Sequence, residues 1–280
     1  MSADLLVADN VKVGFGGGKS WLGGERKVTR VLHGVSVSVA RGETIGIVGE
    51  SGSGKTTLGR ALLRLIEVSE GSIRFDGRDI TRLDERAMRP LRRRMQLIFQ
   101  DPMASLNPRR TIRRIVVEPM RFHGVARDAA DAEARARRIF DRFSLPAACL
   151  DRYPHELSGG QRQRVGIARA ALMSPDFVLA DEIVSGLDVS TQAQVLNLLK
   201  GLSRDLGLAM AFISHDLSVV RAVCDRVYVL RLGRVVEQGA CEDVFAAPQH
   251  PYTRALLDAI PLPKIDPGWL RRESSGEVVG

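Results

Sequence analysis

Apolar and polar residues alternate, cluster and then space out along this chain, and each change of pattern marks an element. The first forty residues carry "LLVADNVKV" and "RVLHGVSVSV", short runs rich in β-branched residues that predict an antiparallel β region. "ETIGIVGE" is a continuous apolar run of the kind that forms a strand buried on both faces. Behind it, Leu58, Ala61, Leu62, Leu65 and Ile66 recur at helical spacing. "GSIRFDGRDI" sets Asp76-Gly77 between two strand-like pieces and predicts a hairpin. From Asp101 to about Ile167, after an opening loop, polar, alanine- and arginine-rich text such as "ARDAADAEARARRIFDRF" predicts an inserted helical segment. Strand character returns in "DFVLADE" and "LAMAFISHD", both apolar runs with polar ends, separated by a helix with Val195, Leu198, Leu199, Leu202 and Leu206 on one face. "RVYVL" and "RVVEQG" flank Gly233 as two more short strands. His250-Pro251 then breaks the chain before a stripe of Tyr252, Leu256, Leu257 and Ile260, and the tail "IPLPKIDPGWLRRESSGEVVG" is expected to be irregular.

Composition narrows the class. With 44% hydrophobic residues in 280, the chain can bury a substantial core. No apolar run approaches the roughly 20 residues needed to span a bilayer, and "MSADLLVADN" lacks a signal peptide's basic and apolar regions, so the chain is expected in the cytosol. Cys149, Cys224 and Cys241 are odd in number and show no metal-ligand spacing, which suits ordinary buried thiols. A net charge of +8 favours an anionic partner. Arginines gather in "RPLRRRM" and "NPRRTIRR" on either side of Gln100, where a solvated basic face accounts for them equally well. Aromatics are only 5%, with no stacking platform for single strands, so no nucleic-acid partner is expected.

Two glycine-rich stretches compete to be a phosphate loop. Such a loop needs G-x-x-x-x-G-K-[ST] so that successive backbone N–H groups point inward. In "GFGGGKSW" the opening glycine would fall on Val13, and Gly23 and Gly24 follow where a helix should start. "GESGSGKT" matches at Gly49, Gly54, Lys55 and Thr56, between a strand and a helix, so phosphate binding is assigned to Gly49, Glu50, Ser51, Gly52, Ser53, Gly54, Lys55, Thr56 and Thr57. Asp181, Glu182 and His215 also stand at strand ends, where ligands of such sheets bind. Lys55 suits the β and γ phosphates, Thr56 and Asp181 suit Mg²⁺ and its water shell, and Glu182 is free to polarise an attacking water. "SHD" at Ser214 to Asp216 contains the residue types of a hydrolase triad, but adjacent strand residues point to opposite faces. His215 is read instead as a γ-phosphate contact.

"LSGGQRQRVGIARA", beginning at Leu157, resembles the signature of ABC-transporter ATPases. Phe15, "GESGSGKT", Gln100 in "LIFQDP", "FVLADE", "SGLD" and "SHD" extend the resemblance over nearly the whole chain. It implies an α/β P-loop NTPase with a RecA-like core (1–100 and 168–245), an antiparallel β subdomain, an inserted α-helical subdomain (101–167) and a C-terminal extension (246–280). It also implies that Phe15 stacks on adenine, with ordinary core packing as the alternative. ATP and Mg²⁺ are the implied ligands, with Gln100 touching the metal and the attacking water. Ser158, Gly159, Gly160 and Gln161 open a helix whose N–H groups make a second anion site, and the family arrangement explains it by two subunits pairing head to tail. Asp188 is implied to communicate across that dimer, homo- or heteromeric. Ile183 replaces the family's commoner Pro or Ala, and "SGLD" its "SALD", without removing a catalytic group.

"QDPMASLNPRRTI" with "HPYTRALLDAIP" is similar to the dipeptide, oligopeptide and nickel importer subfamily, especially the second of its paired ATPases. This implies a peripheral subunit on the cytoplasmic face of the inner membrane, working with permease subunits and indirectly with a solute-binding protein. The expected cargo is a short peptide, with nickel as the alternative. No cysteine-rich cluster stands near the C-terminus, so no iron–sulfur centre is expected. A soluble ABC ATPase acting on ribosomes or DNA would carry two cassettes or long coiled-coil insertions, and a non-hydrolysing regulator would not need Glu182, Gln100 and His215 together.

Overall fold

In the computed structural model, which describes residues 4–16 and 28–259, the alternating N-terminal pattern becomes two long paired strands. β1 (Asp4–Phe15) and β2 (Thr29–Ala40) run antiparallel. The chain then leaves to form β3 (Thr44–Val48) and α1 (Lys55–Leu62), and returns as β4 (Glu70–Phe75) and β5 (Arg78–Asp79) to complete a four-stranded sheet of order β2-β1-β4-β5. Asp76 and Gly77 both take positive φ, +52° and +74°, as a tight hairpin turn requires. The competing glycine stretch from Gly17 onward, with Lys19 and Ser20, lies outside the described residues, as do Ile260 and the tail.

A second sheet of six strands carries the site. After α2 (Glu85–Arg92) comes β6 (Met95–Ile98), followed by α3 (Pro102–Ser105), α4 (Ile112–Phe122), α5 (Ala129–Arg142), two 3₁₀ turns at Ala147–Asp151 and Pro154–Glu156, and α6 (Gly159–Ala171). β7 (Phe177–Asp181), α7 (Val189–Leu206), β8 (Ala209–Ile213), α8 (Leu217–Val223) and the hairpin β9 (Arg226–Arg231) and β10 (Arg234–Ala240) follow. α9 (Cys241–Ala246) and α10 (Pro251–Asp258) close the described chain. The strand order is β10-β9-β3-β8-β7-β6, parallel except for the β9–β10 hairpin. β3, the first of these in sequence, therefore lies inside the sheet, hydrogen-bonded to β8 and β9.

Alternate residues of these strands enter two different cores. Ile45, Ile47, Leu179, Ala211 and Ile213 pack with α1 and the antiparallel sheet, whereas Val178, Ala180, Met210 and Phe212 pack with the helical segments. Burial on both faces is why these strands read as unbroken apolar runs.

One helix end and one apolar position depart from the periodicity. α1 stops at Leu62 rather than continuing to Ile66, and Leu65 is exposed. Arg64 takes φ +52°, and Arg92 donates to the carbonyls of Leu63 and Arg64, so side chains satisfy carbonyls that a longer helix would have used. At the end of α7, Gly207 turns the chain at φ +59° and places Leu208, not Leu206, in the core. The arginine clusters beside Gln100 are largely tied up within the chain. Arg94 pairs with Asp76 and Asp176, Arg110 and Arg114 with Glu118, and Arg113 with Glu133 and Asp151.

Candidate functional site

The C-terminal ends of four adjacent strands, β3, β8, β7 and β6, deliver Gly49, Ser214-His215, Asp181-Glu182 and Gln100 to one edge of the large sheet. After β3 the loop turns on Gly49, Gly52 and Gly54, all at positive φ. A Cβ at Gly49 would run into the Leu230 carbonyl oxygen, so only glycine fits there. α1 begins at Lys55 with no side chain capping its first turn, which leaves those N–H groups to face an anion. Lys55 is buried, and its Nζ donates to the Gly49 and Glu50 carbonyls at 2.8 and 2.9 Å. Burial lowers its pKa, while Glu182 and Asp181 act to raise it. A pocket of about 230 Å³ opens here, lined by Gly52, Gly54, Lys55, Thr56, Thr57 and Glu182 among others.

Not every residue of the loop faces that pocket. Ser53 is buried, its N–H donates to the Glu50 carbonyl at 3.1 Å, and its own carbonyl accepts from Gly233 N–H at 2.9 Å. Glu50 N–H donates to the Tyr252 hydroxyl at 3.0 Å. These two sequence-assigned positions therefore shape the loop, and two later segments, the β9–β10 turn and α10, brace it from behind.

Thr56 Oγ1 donates to Asp181 Oδ1 at 3.3 Å, joining the start of α1 to the end of β7. Burial holds the Asp181 carboxyl above its usual range, opposed by the Thr56 hydrogen bond and reinforced by the charge of Glu182. Glu182 sits at φ +48°, an uncommon conformation for a residue with a side chain, and its N–H donates to the Ile213 carbonyl at 2.9 Å. Its carboxylate accepts from Gln100 Nε2 at 3.2 Å and lies 3.7 Å from His215 Nδ1. Two residues, from the ends of β6 and β8, thus converge on a carboxylate at the end of β7.

The signature residues lie elsewhere. Ser158 caps α6, accepting from Gln161 N–H at 3.3 Å, while Gln161 Oε1 accepts from Ser158 N–H at 3.0 Å. Ser158 and Gly159 are exposed, and none of Ser158, Gly159, Gly160 and Gln161 lines the phosphate-loop pocket. Asp188 caps α7 through Thr191 N–H and the Ser190 and Thr191 hydroxyls, contacts that hold its carboxyl far below the usual range. Phe15, at the end of β1, is 48% exposed, so it is not a core residue. Tyr252 was visible in the sequence only as one member of an apolar stripe. Its contact with the phosphate loop had no local signal.

Comparison with known proteins agrees with this geometry. The ABC transporter family profile matches residues 32–185, and the C-terminal region of oligopeptide and dipeptide transporters matches 236–278, which begins inside β10. A Brucella ovis protein named as a peptide import ATP-binding protein is 56% identical over 89% of this chain and 78% of its own length. The oligopeptide transport ATP-binding protein OppF of Salmonella typhimurium is 44% identical over 94% of this chain and 78% of its own. A dimeric ATP-binding cassette solved with ADP and inorganic phosphate superposes with a TM-score of 0.74 at 28% identity, covering 84% of this chain and 98% of that one. With the glycine loop, the acidic strand end and the capped signature helix held on one scaffold and matched by that profile over more than half its length, the chain belongs to the ABC transporter family of ATPases.

Proposed function

We propose that this ATPase energises an importer of short peptides or related small solutes, working on the cytoplasmic face of the inner membrane with separate permease subunits. The observation that carries the cargo reading is the C-terminal region, matched to oligopeptide and dipeptide transporters and continuous with β10 and α10. Among the described residues no helix is long and apolar enough to cross a membrane, which suits a subunit that depends on others for the pathway. A cleft of about 440 Å³, lined by Arg110, Ile115, Pro119, Phe122 and Arg169 among others, flanks the segment after Gln100 and supports docking of a permease close to the catalytic edge.

Within the site, the loop N–H groups and Lys55 would bind the phosphates, and Phe15 would stack on the base. The donor set suits Mg²⁺: Thr56 and Asp181 offer hard oxygens, and the burial that raises the Asp181 pKa would be offset by a cation. Gln100 would add its amide oxygen. When bound, the cation would neutralise phosphate charge. Glu182 would take the proton of the attacking water, held in place by Gln100 and His215, and His215 would also contact the γ phosphate. Since Ser158, Gly159, Gly160, Gln161 and Asp188 do not line this chain's own pocket, they would complete the site of a second ATPase subunit paired head to tail.

The cargo is tested by deleting the gene and measuring uptake of labelled dipeptides, oligopeptides and Ni²⁺ in the same cells. Loss of peptide uptake with Ni²⁺ uptake intact is expected. Loss of Ni²⁺ uptake alone would assign the nickel alternative. Unchanged uptake of all three, with no redundant ATPase, would defeat the importer assignment and leave the ATPase standing.

A further inference from the structure

The peptide unit joining Gly49 to Glu50 is bound at both ends. Its carbonyl accepts from Lys55 Nζ at 2.8 Å, and its N–H donates to Tyr252 Oη at 3.0 Å, across 202 residues of sequence. Rotating this peptide would break both bonds at once. The restraint matters at this position because Gly49 stands at φ +147° with no side chain to limit its backbone. The two hydrogen bonds then hold the way the carbonyl points, and the carbonyl, with that of Glu50, orients the ammonium group of Lys55.

Tyr252 is itself held firmly. It is 7% exposed, and the Arg231 guanidinium lies 4.8 Å from its ring centre. Its N–H donates to His250 Nδ1 at 3.1 Å. The N–H groups of Gln249 and His250 in turn donate to the Glu237 carboxylate of β10 at 2.7 and 3.0 Å. A continuous chain of contacts therefore runs from β10 through the turn before α10 to the back of the phosphate loop.

We propose that Tyr252 is a positioning residue for nucleotide binding: its phenol oxygen fixes the Gly49–Glu50 peptide, and through it Lys55. The C-terminal region sets nucleotide affinity from behind the site without touching the ligand. This rests on the assignment of the loop as the phosphate site, which Lys55→Ala checks separately.

Two full-length variants separate the hydrogen bond from packing. Tyr252→Phe keeps the ring and removes the acceptor, whereas Tyr252→Ala removes both. Each is measured for its nucleotide-free melting temperature, for equilibrium binding of Mg²⁺ with the non-hydrolysable analogue AMP-PNP, and for hydrogen exchange at the Glu50 amide. Tyr252→Phe is expected to melt close to wild type, bind the analogue about 5- to 30-fold more weakly, raise KM more than it lowers kcat, and exchange Glu50 faster. Tyr252→Ala should lose affinity and melting temperature together. Wild-type affinity and unchanged Glu50 exchange in Tyr252→Phe would overturn the proposal and leave Tyr252 a packing residue. If wild type binds the analogue but Lys55→Ala binds it equally well, the loop assignment itself fails.

Discussion

Glu182 and Asp181 are sequence neighbours placed under opposite demands. Glu182→Gln keeps the shape of the side chain but cannot accept a proton, so hydrolysis should slow by about 10² to 10⁴ while ATP binding persists. Single-turnover hydrolysis beside equilibrium binding measures this, and near-normal turnover would remove the general-base role. For Asp181, burial holds the carboxyl above its usual range, so ionising it opposes folding, and its contribution to stability falls as pH rises through that range. Asp181→Asn should accordingly melt higher than wild type at neutral pH without nucleotide. The difference should vanish below the ordinary carboxylate range, while tight Mg²⁺-nucleotide binding is lost. The glycine turn at Gly49, Gly52 and Gly54 and the acidic strand end at Asp181-Glu182, on which the proposed phosphate and metal roles rest, were legible because fixed spacing and a strand end identify them locally. The partners of Arg94 were not, since Asp76 and Asp176 reach it only through the fold.

Elements were read correctly where periodicity decided them and misread where side chains outcompeted it. The hairpin at Asp76-Gly77, the helical insertion and the strands at 177–181 and 209–213 all follow from local pattern. The end of α1 and the burial of Leu206 do not, because Arg92 binds carbonyls where the apolar spacing would continue α1, and the turn at Gly207 gives the core place to Leu208. Asp188 illustrates a residue with an element-level job that a motif obscures. As the N-cap of α7 its carboxyl is depressed, so its contribution is present at neutral pH and lost as pH falls through that low value. Asp188→Ala should melt below wild type at pH 7, with a gap that narrows in strong acid. Asp188→Asn, which keeps one acceptor oxygen, should recover part of the loss. A gap that stays constant with pH would show that the cap does not depend on charge.

At the scale of the molecule, the signature helix and the phosphate loop face different surroundings, and the proposed head-to-tail pairing would account for both. Lys55→Ala and Ser158→Arg subunits, each inactive alone, should recover about a quarter of wild-type turnover at most when mixed, because half the dimers then hold one intact composite site. A stable mixed dimer with no gain would exclude head-to-tail pairing or independent firing. The order of the large sheet carries a further consequence, for synthesis. Among the described residues, β3 pairs only with β8 and β9, strands that begin at Ala209 and Arg226. At about 5 to 20 residues per second, the ribosome makes β3 roughly ten to thirty seconds before β8, its first partner. Through that interval the nascent chain displays an apolar strand with both edges bare, the surface most prone to pair with another chain. A product released before Ala209 would carry "GESGSGKT" intact and still be unable to seat it, so ribosomal stalling in this message should yield aggregates rather than nucleotide-binding fragments.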